Sequence, residues 1–369
     1  MITRRVRMAQ RVLILGGCGR IGAAVAADVL AHTPAMVTVT GRSPTISPQE
    51  RFSPSALNLS DREAVEEAIA VHDLVIHCAG PFSYRDAHVL DTCIQYGVNY
   101  LDVADNPGYV KQALSRCDRA LEAGITAIVS TGVFPGISNS MVRQGIEQLD
   151  SADTVQLNYV VAGSGGAGVT VMRTTFLELQ HPIQAKLEGE MQAIAPYSQR
   201  EVVTFPPPYG RCAVYWFNTI EAMTLADSFP LSTIVTKFGS LPDIYNHLTW
   251  LMAHGVPKAW LRKPETVEFL AQVSYWMTTI SDRFSGIGLA MQADIHGTRQ
   301  GQPARLISNM VHPDTAVAAG YGTGSVAQLL LSGQWQQPGV WPIERSLPTD
   351  LFEKTMAQRR LTIQHTFIE

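Results

Sequence analysis

The stretch RVLILGGCGRIGAAV, residues 11–25, constrains the chain more than any other. A short apolar strand runs into three glycines spaced as GxGxxG, Gly17, Gly19 and Gly22, and these open an alanine-rich helix. Each glycine has a mechanical reason to be there. Gly17 permits a tight turn, Gly19 lets a pyrophosphate approach the backbone, and Gly22 allows close packing of helix on strand. The helix start then offers free N–H groups and a partial positive charge to the phosphates. This context predicts a dinucleotide-binding crossover and not an isolated turn.

The end of the second strand says which dinucleotide. An NAD site usually carries Asp or Glu there, about 20 residues past the motif, to accept from the ribose 2′-OH. From Val37 to Gln49 this chain has no acid, and the strand ends Thr40-Gly41-Arg42-Ser43. A guanidinium at Arg42 pairs with a 2′-phosphate in a fork, and Ser43 adds a donor. NADP(H) is the expected cofactor.

Short apolar runs alternating with helical patterns continue for the next hundred residues, as in βα units. Strands are predicted at 12–15, 36–40, 56–59, 74–78, 99–103 and 126–130. Ser60 to Glu63 reads as a capping box, and Asn106-Pro107 starts a helix that runs to Gly124. The fold class is therefore α/β, a doubly wound parallel Rossmann sheet over residues 1–150. After Asp150 the texture becomes α+β, so an inserted substrate and dimerisation domain is expected at 151–312. It contains a hairpin with its turn around Thr298 to Gln302. The segment 313–369, with a helix from about Gly324 to Leu331, is expected to return to the Rossmann domain.

Composition bounds the partners. Of 369 residues 46% are apolar and 16% charged, which suits a compact chain of two domains. With a net charge of −4 and no basic run beyond the first seven positions, no nucleic-acid partner is expected. No apolar run reaches the ~18 residues of a membrane span. The basic N-terminus has no cleavable apolar run behind it, so no signal peptide is expected, and Met8 is an alternative start. Five cysteines without CxxC spacing point to a reducing cytoplasm and no metal site.

Two more strand ends should edge the cofactor. The fourth ends CAGPF, where Gly80 and Pro81 form a thin turn along the ribose or nicotinamide. The fifth ends Asp102-Val103-Ala104-Asp105-Asn106. Asp105 reads two ways, as a helix-capping carboxyl or as the group that holds a protonated substrate nitrogen. Tyr84 and Arg85, just past the GPF turn, are candidates for polar substrate contacts. In the second domain, the loop Ala162 to Thr170 offers bare N–H groups to a substrate carboxylate, with Arg173 as counter-charge. The Trp- and Met-rich stretch from Trp250 to Met291 reads as a pocket lining, a core or a dimer face. No histidine is singled out.

The stretches LILGGCGRIG, VTGRS, DLVIHCAGPF, GVNYLDVADN, GVFPGISN and GQWQQPGVWPIERSLP together resemble the saccharopine dehydrogenase (reductase) family. The resemblance implies a split Rossmann domain, a nicotinamide cofactor and a homodimer. It implies cofactor contacts at Gly17, Gly19, Arg20, Ile21, Gly22, Arg42, Ser43, Ala79, Gly80, Pro81 and Asp102. The chemistry of the residues themselves makes Asp105 and Tyr84 the catalytic candidates. Arg85, Phe134, Gly136 and Arg173 are the substrate candidates. The chain's Phe134-Pro135-Gly136 departs from the acidic DPG form of saccharopine-forming members, which argues against saccharopine itself. The leading expectation is reduction of a C=N bond in an amino-acid-derived imine, a small-molecule substrate. The alternatives are reduction of C=O or C=C in a more apolar substrate, or NADP(H) sensing without turnover.

Overall fold

The computed structural model describes residues 9–44, 47–166 and 168–368; the basic start with Met8 lies outside them. The first sheet begins with β1 (Arg11–Leu15), β2 (Met36–Gly41), β3 (Phe52–Ala56), β4 (Leu74–His77), β5 (Asn99–Asp102) and β6 (Thr126–Val129), ordered β3-β2-β1-β4-β5-β6. Every pair in it is parallel. The connecting helices are α1 (Arg20–His32), α2 (Arg62–Ala70), α3 (His88–Tyr96), α4 (Pro107–Leu114), α5 (Cys117–Glu122) and α6 (Ile137–Ile146).

Successive residues of β1 point to opposite faces, and both faces are covered. Val12 and Ile14 pack with Val25, Val29 and Met141, whereas Leu13 and Leu15 pack with Val65, Leu90 and Val110. The expected doubly wound sheet is present, with two local corrections. The third strand is FSPSA and not the ALNL that follows it; its polar composition and mostly exposed residues mark an edge strand, so its apolar signal is weak. Helix α2 is capped by Asp61, whose Oδ1 accepts from the Ala64 amide at 3.1 Å, one residue past the Ser60 of the expected box.

The second half begins with β7 (Ser151–Ala162), α7 (Val169–Glu178) and the hairpin β8 (Ile183–Leu187) and β9 (Glu190–Ile194). It continues with β10 (Glu201–Phe205), β11 (Gly210–Trp216), α8 (Ile220–Ser228), β12 (Thr233–Leu241), α9 (Ile244–Gly255), α10 (Lys258–Leu261) and α11 (Pro264–Ser285). Then come β13 (Leu289–Arg299) and β14 (Gln302–His312), whose two-residue turn places Gln300 and Gly301 at positive φ, as a primed hairpin turn requires.

The final segment holds α12 (Thr315–Ser332), β15 (Gly339–Pro342), α13 (Ile343–Ser346), α14 (Thr349–Gln358) and β16 (Gln364–Ile368). Helix α12 is a full 18 residues, longer than its apolar pattern suggests, because its glycines are packing positions. A Cβ on Gly320 or Gly324 would run into Ala24 or Asp28 of α1, so small residues let the two helices meet. Strand β15 adds to β6 as the seventh parallel strand of the first sheet. Strand β16 instead pairs with β14, completing a mixed sheet ordered β10-β11-β12-β7-β13-β14-β16. The segment after His312 therefore ties both sheets together, and does not serve the first alone. A buried Arg359–Asp28 pair, Nε to Oδ2 at 2.9 Å, fastens its end to α1.

Candidate active site

The carboxyl ends of β1, β2, β4 and β5 lie along one edge of the first sheet, where ligands of open α/β sheets bind. Gly16, with φ +74°, makes the turn out of β1, a role that the GxGxxG spacing assigns to Gly17. Gly17 supplies space instead: a Cβ there would stand 2.6 Å from Val39 of β2. A side chain on Gly22 would collide with the Gly16 carbonyl. Gly19 differs from both. It caps the start of α1, and a Cβ on it would meet only the Gly16 carbonyl, at 3.2 Å. The fold presses less on a side chain there than at Gly17 or Gly22, whereas a phosphate resting on the backbone requires glycine. No acid lies in the first turn of α1, and the cradle fits a dinucleotide pyrophosphate.

Arg42 and Ser43 follow β2 and are exposed. The Arg85 Nε donates to the Ala79 carbonyl at 3.0 Å, which fastens it beneath the Ala79-Gly80-Pro81 turn. Burial holds this guanidinium below its ordinary value; Asp86 opposes that, and the like charge of Arg42 adds to it. Arg42 and Arg85 are therefore electrostatic neighbours. Arg20 turns from α1 toward the second half, 5.7 Å from the ring of Tyr275 in α11.

An apolar cavity of about 320 Å³ opens between the two halves. Asp105, Phe134 and Pro135 enter it from the first, while α7, α9 and α11 contribute Thr174, Glu178, Leu248, Met252, Leu270 and Met277. The start of α7 reaches the cofactor edge, since a Cβ on Gly80 would stand 3.4 Å from Thr170 Cγ2. The ring of Phe134 lies against Tyr159 of β7, with centroids 5.1 Å apart.

The two readings of Asp105 now separate. Asn106 is the cap of α4, its Oδ1 accepting from the Tyr109 amide at 3.0 Å, so Asp105 is left to face the cavity. Burial pushes its carboxyl up to about 6, while its backbone and the Thr174 hydroxyl hold it down. Glu178 lines the same cavity. Burial pushes it up to about 7, the Asn218 amide donating at 2.5 Å opposes, and the charge of Asp105 raises it further. The Asp105 charge thus reaches Glu178 across the cavity wall.

Several expected site residues lie elsewhere. Asp102 is fully buried, its carboxylate taking the Tyr100 hydroxyl at 3.0 Å and the Ala104 and Ser130 amides at 3.0 and 2.7 Å. The expected cofactor contact is thus corrected: Asp102 ties the ends of β5 and β6 and has no surface to offer a ligand. Gly136, at φ +135°, is buried where any side chain would strike Gly132, so it shapes the turn into α6 and does not face a substrate. Tyr84 is 59% exposed and outside the cavity lining.

Arg173 is bound by a fork to Glu268 of α11, at 2.5 and 2.8 Å. Four of the loop amides expected to receive a carboxylate are also taken. Those of Gly163, Ser164, Gly165 and Gly166 donate to the Leu241 carbonyl, Asp282, the Ala162 carbonyl and the Ser164 hydroxyl. Ala167 lies outside the described residues. The Trp- and Met-rich stretch divides, with Met252 and Met277 lining the cavity while Trp250, Trp276 and Phe284 face outward.

Sequence reading misses Glu178. A signal is present nonetheless: Val171, Thr174, Thr175 and Glu178 share one helical face, placing an acid on a stripe that turns inward.

The model of the saccharopine dehydrogenase NADP binding domain matches residues 12–128. Carboxynorspermidine synthase of Vibrio cholerae is 25% identical over 354 residues, 86% of this chain and 84% of that protein. Carboxyaminopropylagmatine dehydrogenase of Synechocystis sp. is 24% identical over 309 residues, 76% of this chain and 77% of that protein. Saccharopine dehydrogenase (L-Glu forming) of Saccharomyces cerevisiae shares the fold, with a TM-score of 0.70 at 13% identity over 98% of this chain and 100% of that one. Among the described residues no helix is long and apolar enough to cross a membrane. Residues 12–128 thus match a saccharopine dehydrogenase NADP-binding domain, and along most of its length the chain is similar to oxidoreductases of the saccharopine dehydrogenase type.

Proposed function

We propose that the protein is an NADP(H)-dependent reductase of a C=N bond, in an imine formed from an amine and an amino-acid-derived carbonyl compound. The observation that carries this reading is Asp105, an ionisable carboxyl just past β5 that opens, together with Glu178, into a mostly apolar cavity beside the cofactor edge. The bound cofactor supplies a hydride. Asp105, as carboxylate, holds the protonated imine nitrogen, and in a water-poor cavity that pairing is stronger than in bulk solvent. Hydride addition to the carbon moves the C=N π pair onto nitrogen and leaves a neutral amine. Glu178, pushed up to about 7 and so partly protonated near neutrality, supplies the proton that this amine takes.

Arg42 and Ser43 hold the 2′-phosphate, with Arg85 beside them; the neighbouring guanidinium groups support that assignment. The amino-acid-derived half rests on the relatives, whose names denote carboxynorspermidine and carboxyaminopropylagmatine. A homodimer belongs to the same reading, supported by exposed Trp250, Phe269, Trp276 and Phe284 on α9 and α11. So does a cytoplasmic location, supported by five free cysteines.

The test is NADPH oxidation with amines, aldehydes and α-keto acids, singly and in pairs. Oxidation that needs both partners is the expected result. Equal oxidation with the carbonyl compound alone would move the assignment to C=O reduction, and cofactor binding without turnover on any pair would favour a sensor.

A further inference from the structure

Asp105 and Glu178 occupy one part of the cavity; most of the remaining wall is apolar, with Phe176, Phe217, Phe238, Met252, Leu270 and Met277 prominent. Among the described residues, no Lys, Arg or His lines it. Several hydroxyls there have already used their donors on backbone: Tyr245 on the Met277 carbonyl, Thr249 on Tyr245 and Thr278 on Ser274. A carboxylate in this space would therefore face two acids and no counter-charge. A second ammonium far from the acids would lose its hydration and gain no anion.

We propose that the half of the substrate seated here is an amine with an uncharged apolar body, its nitrogen at Asp105 and Glu178. The body has room for on the order of ten heavy atoms, at about 30 Å³ for each water-sized group. Any carboxyl group belongs to the other half of the imine, outside this cavity. This inference rests on the C=N reading for the chemistry at the polar end, but the apolar wall is a property of the cavity itself.

The experiment is calorimetric titration of the full chain, with and without NADPH, using the n-alkylamines from propyl to octyl. Affinity is expected to rise about threefold to fourfold per methylene until the cavity is full. The α,ω-diaminoalkane and the alkanoate of equal length are expected to bind at least about tenfold more weakly. Equal affinities across the amine series, or a diamine or alkanoate as tight as the monoamine, would overturn the proposal.

Phe217→Asn, or Met277→Gln if the first variant does not fold, is expected to flatten the series. A slope unchanged in the folded variant would place the binding on the exposed Trp250 and Trp276 face, and overturn the proposal too. Turnover is read separately. If the slope is found but no amine and carbonyl pair is reduced, the C=N reading fails while the cavity assignment stands.

Discussion

At the cofactor edge, Gly16, Gly17, Gly19, Gly22 and Arg42 all lie on a single strand-helix-strand unit. The cavity draws instead on Asp105, Phe134, Glu178, Phe217, Met252 and Met277, which come from loops and helices scattered over both halves. The first region recognises its ligand largely with backbone, so its demands are steric and local: no Cβ at Gly22, no acid in the first turn of α1. The second recognises with side chains brought together by tertiary packing, where an acid's meaning depends on what surrounds it. Variants in the cavity should therefore change substrate chemistry and leave the cofactor alone, and variants at the edge should do the reverse.

The largest expected effect belongs to Asp105. Asp105→Asn should lower kcat/KM by roughly 10²- to 10³-fold, the scale of losing a positioned ionisable group, with NADPH affinity unchanged. In the wild type the carboxylate form is the one that holds a cationic nitrogen. Because burial has raised Asp105 to about 6 and Glu178 to about 7, kcat/KM should climb as Asp105 ionises near pH 6 and fall again as Glu178, the proton donor, ionises above about 7. The variant should lose the Asp105 component of that rise. A parallel loss of NADPH affinity would break the separation between the two regions.

Next comes the cofactor edge. Arg42→Ala should weaken NADPH by about 1.5 to 3 kcal/mol, as for hydrogen bonds to a charged group, while NADH binding barely changes. Fluorescence titration with both dinucleotides reads the difference. Equal losses would mean that the 2′-phosphate is not held there.

The same contrast explains what is legible in the sequence. The glycine spacing, the acid-free end of β2 and the cap at Asn106 are rules about neighbours along the chain, and each leads to an element or a cofactor expectation directly. Even there, the turn falls to Gly16 and the space to Gly17, because the Val39 contact comes from another strand. Farther out the local rules fail. Arg173 reads along the chain as a free counter-charge, yet its partner Glu268 lies on a helix 95 residues on, and no pattern in either segment announces the other. Asp102 and Asp105 look alike in the sequence. What separates them is that two amides and a tyrosine close over the first and leave the second to the cavity.

Glu178 offers a stability test of the cavity. Its folded value of about 7 lies above the 4.5 of a free glutamate, so the folded chain binds the extra proton between those values. Stability from this group is therefore present below about pH 4.5 and lost as pH rises toward 7. Glu178→Gln keeps an acceptor for Asn218 and never ionises. Its Tm should exceed the wild type's at pH 8 by about 2–4 °C, for on the order of 1 kcal/mol, with the gap closing toward pH 5. A gap independent of pH would show that the carboxyl is not ionising in a poorly solvated place.

The smallest effect is expected at Arg173, and it separates a substrate contact from a structural fork. The pair with Glu268 joins α7 to α11 across the top of the cavity, and Glu268, 47% exposed, is held down to about 2 first by the Arg173 hydrogen bonds and then by Gln272. An ion pair this open to water contributes about 0–1 kcal/mol, so Arg173→Met should cost a small fraction of the stability. If the fork is the side chain's whole role, KM for any carboxylate-bearing substrate should stay within about twofold, because an interaction that is the same in the free enzyme and in the substrate complex cancels out of KM. A tenfold rise in KM with unchanged Tm would mean that Arg173 leaves Glu268 when substrate arrives. The site would then extend beyond the cavity, and a carboxyl on the other half of the imine would have its counter-charge.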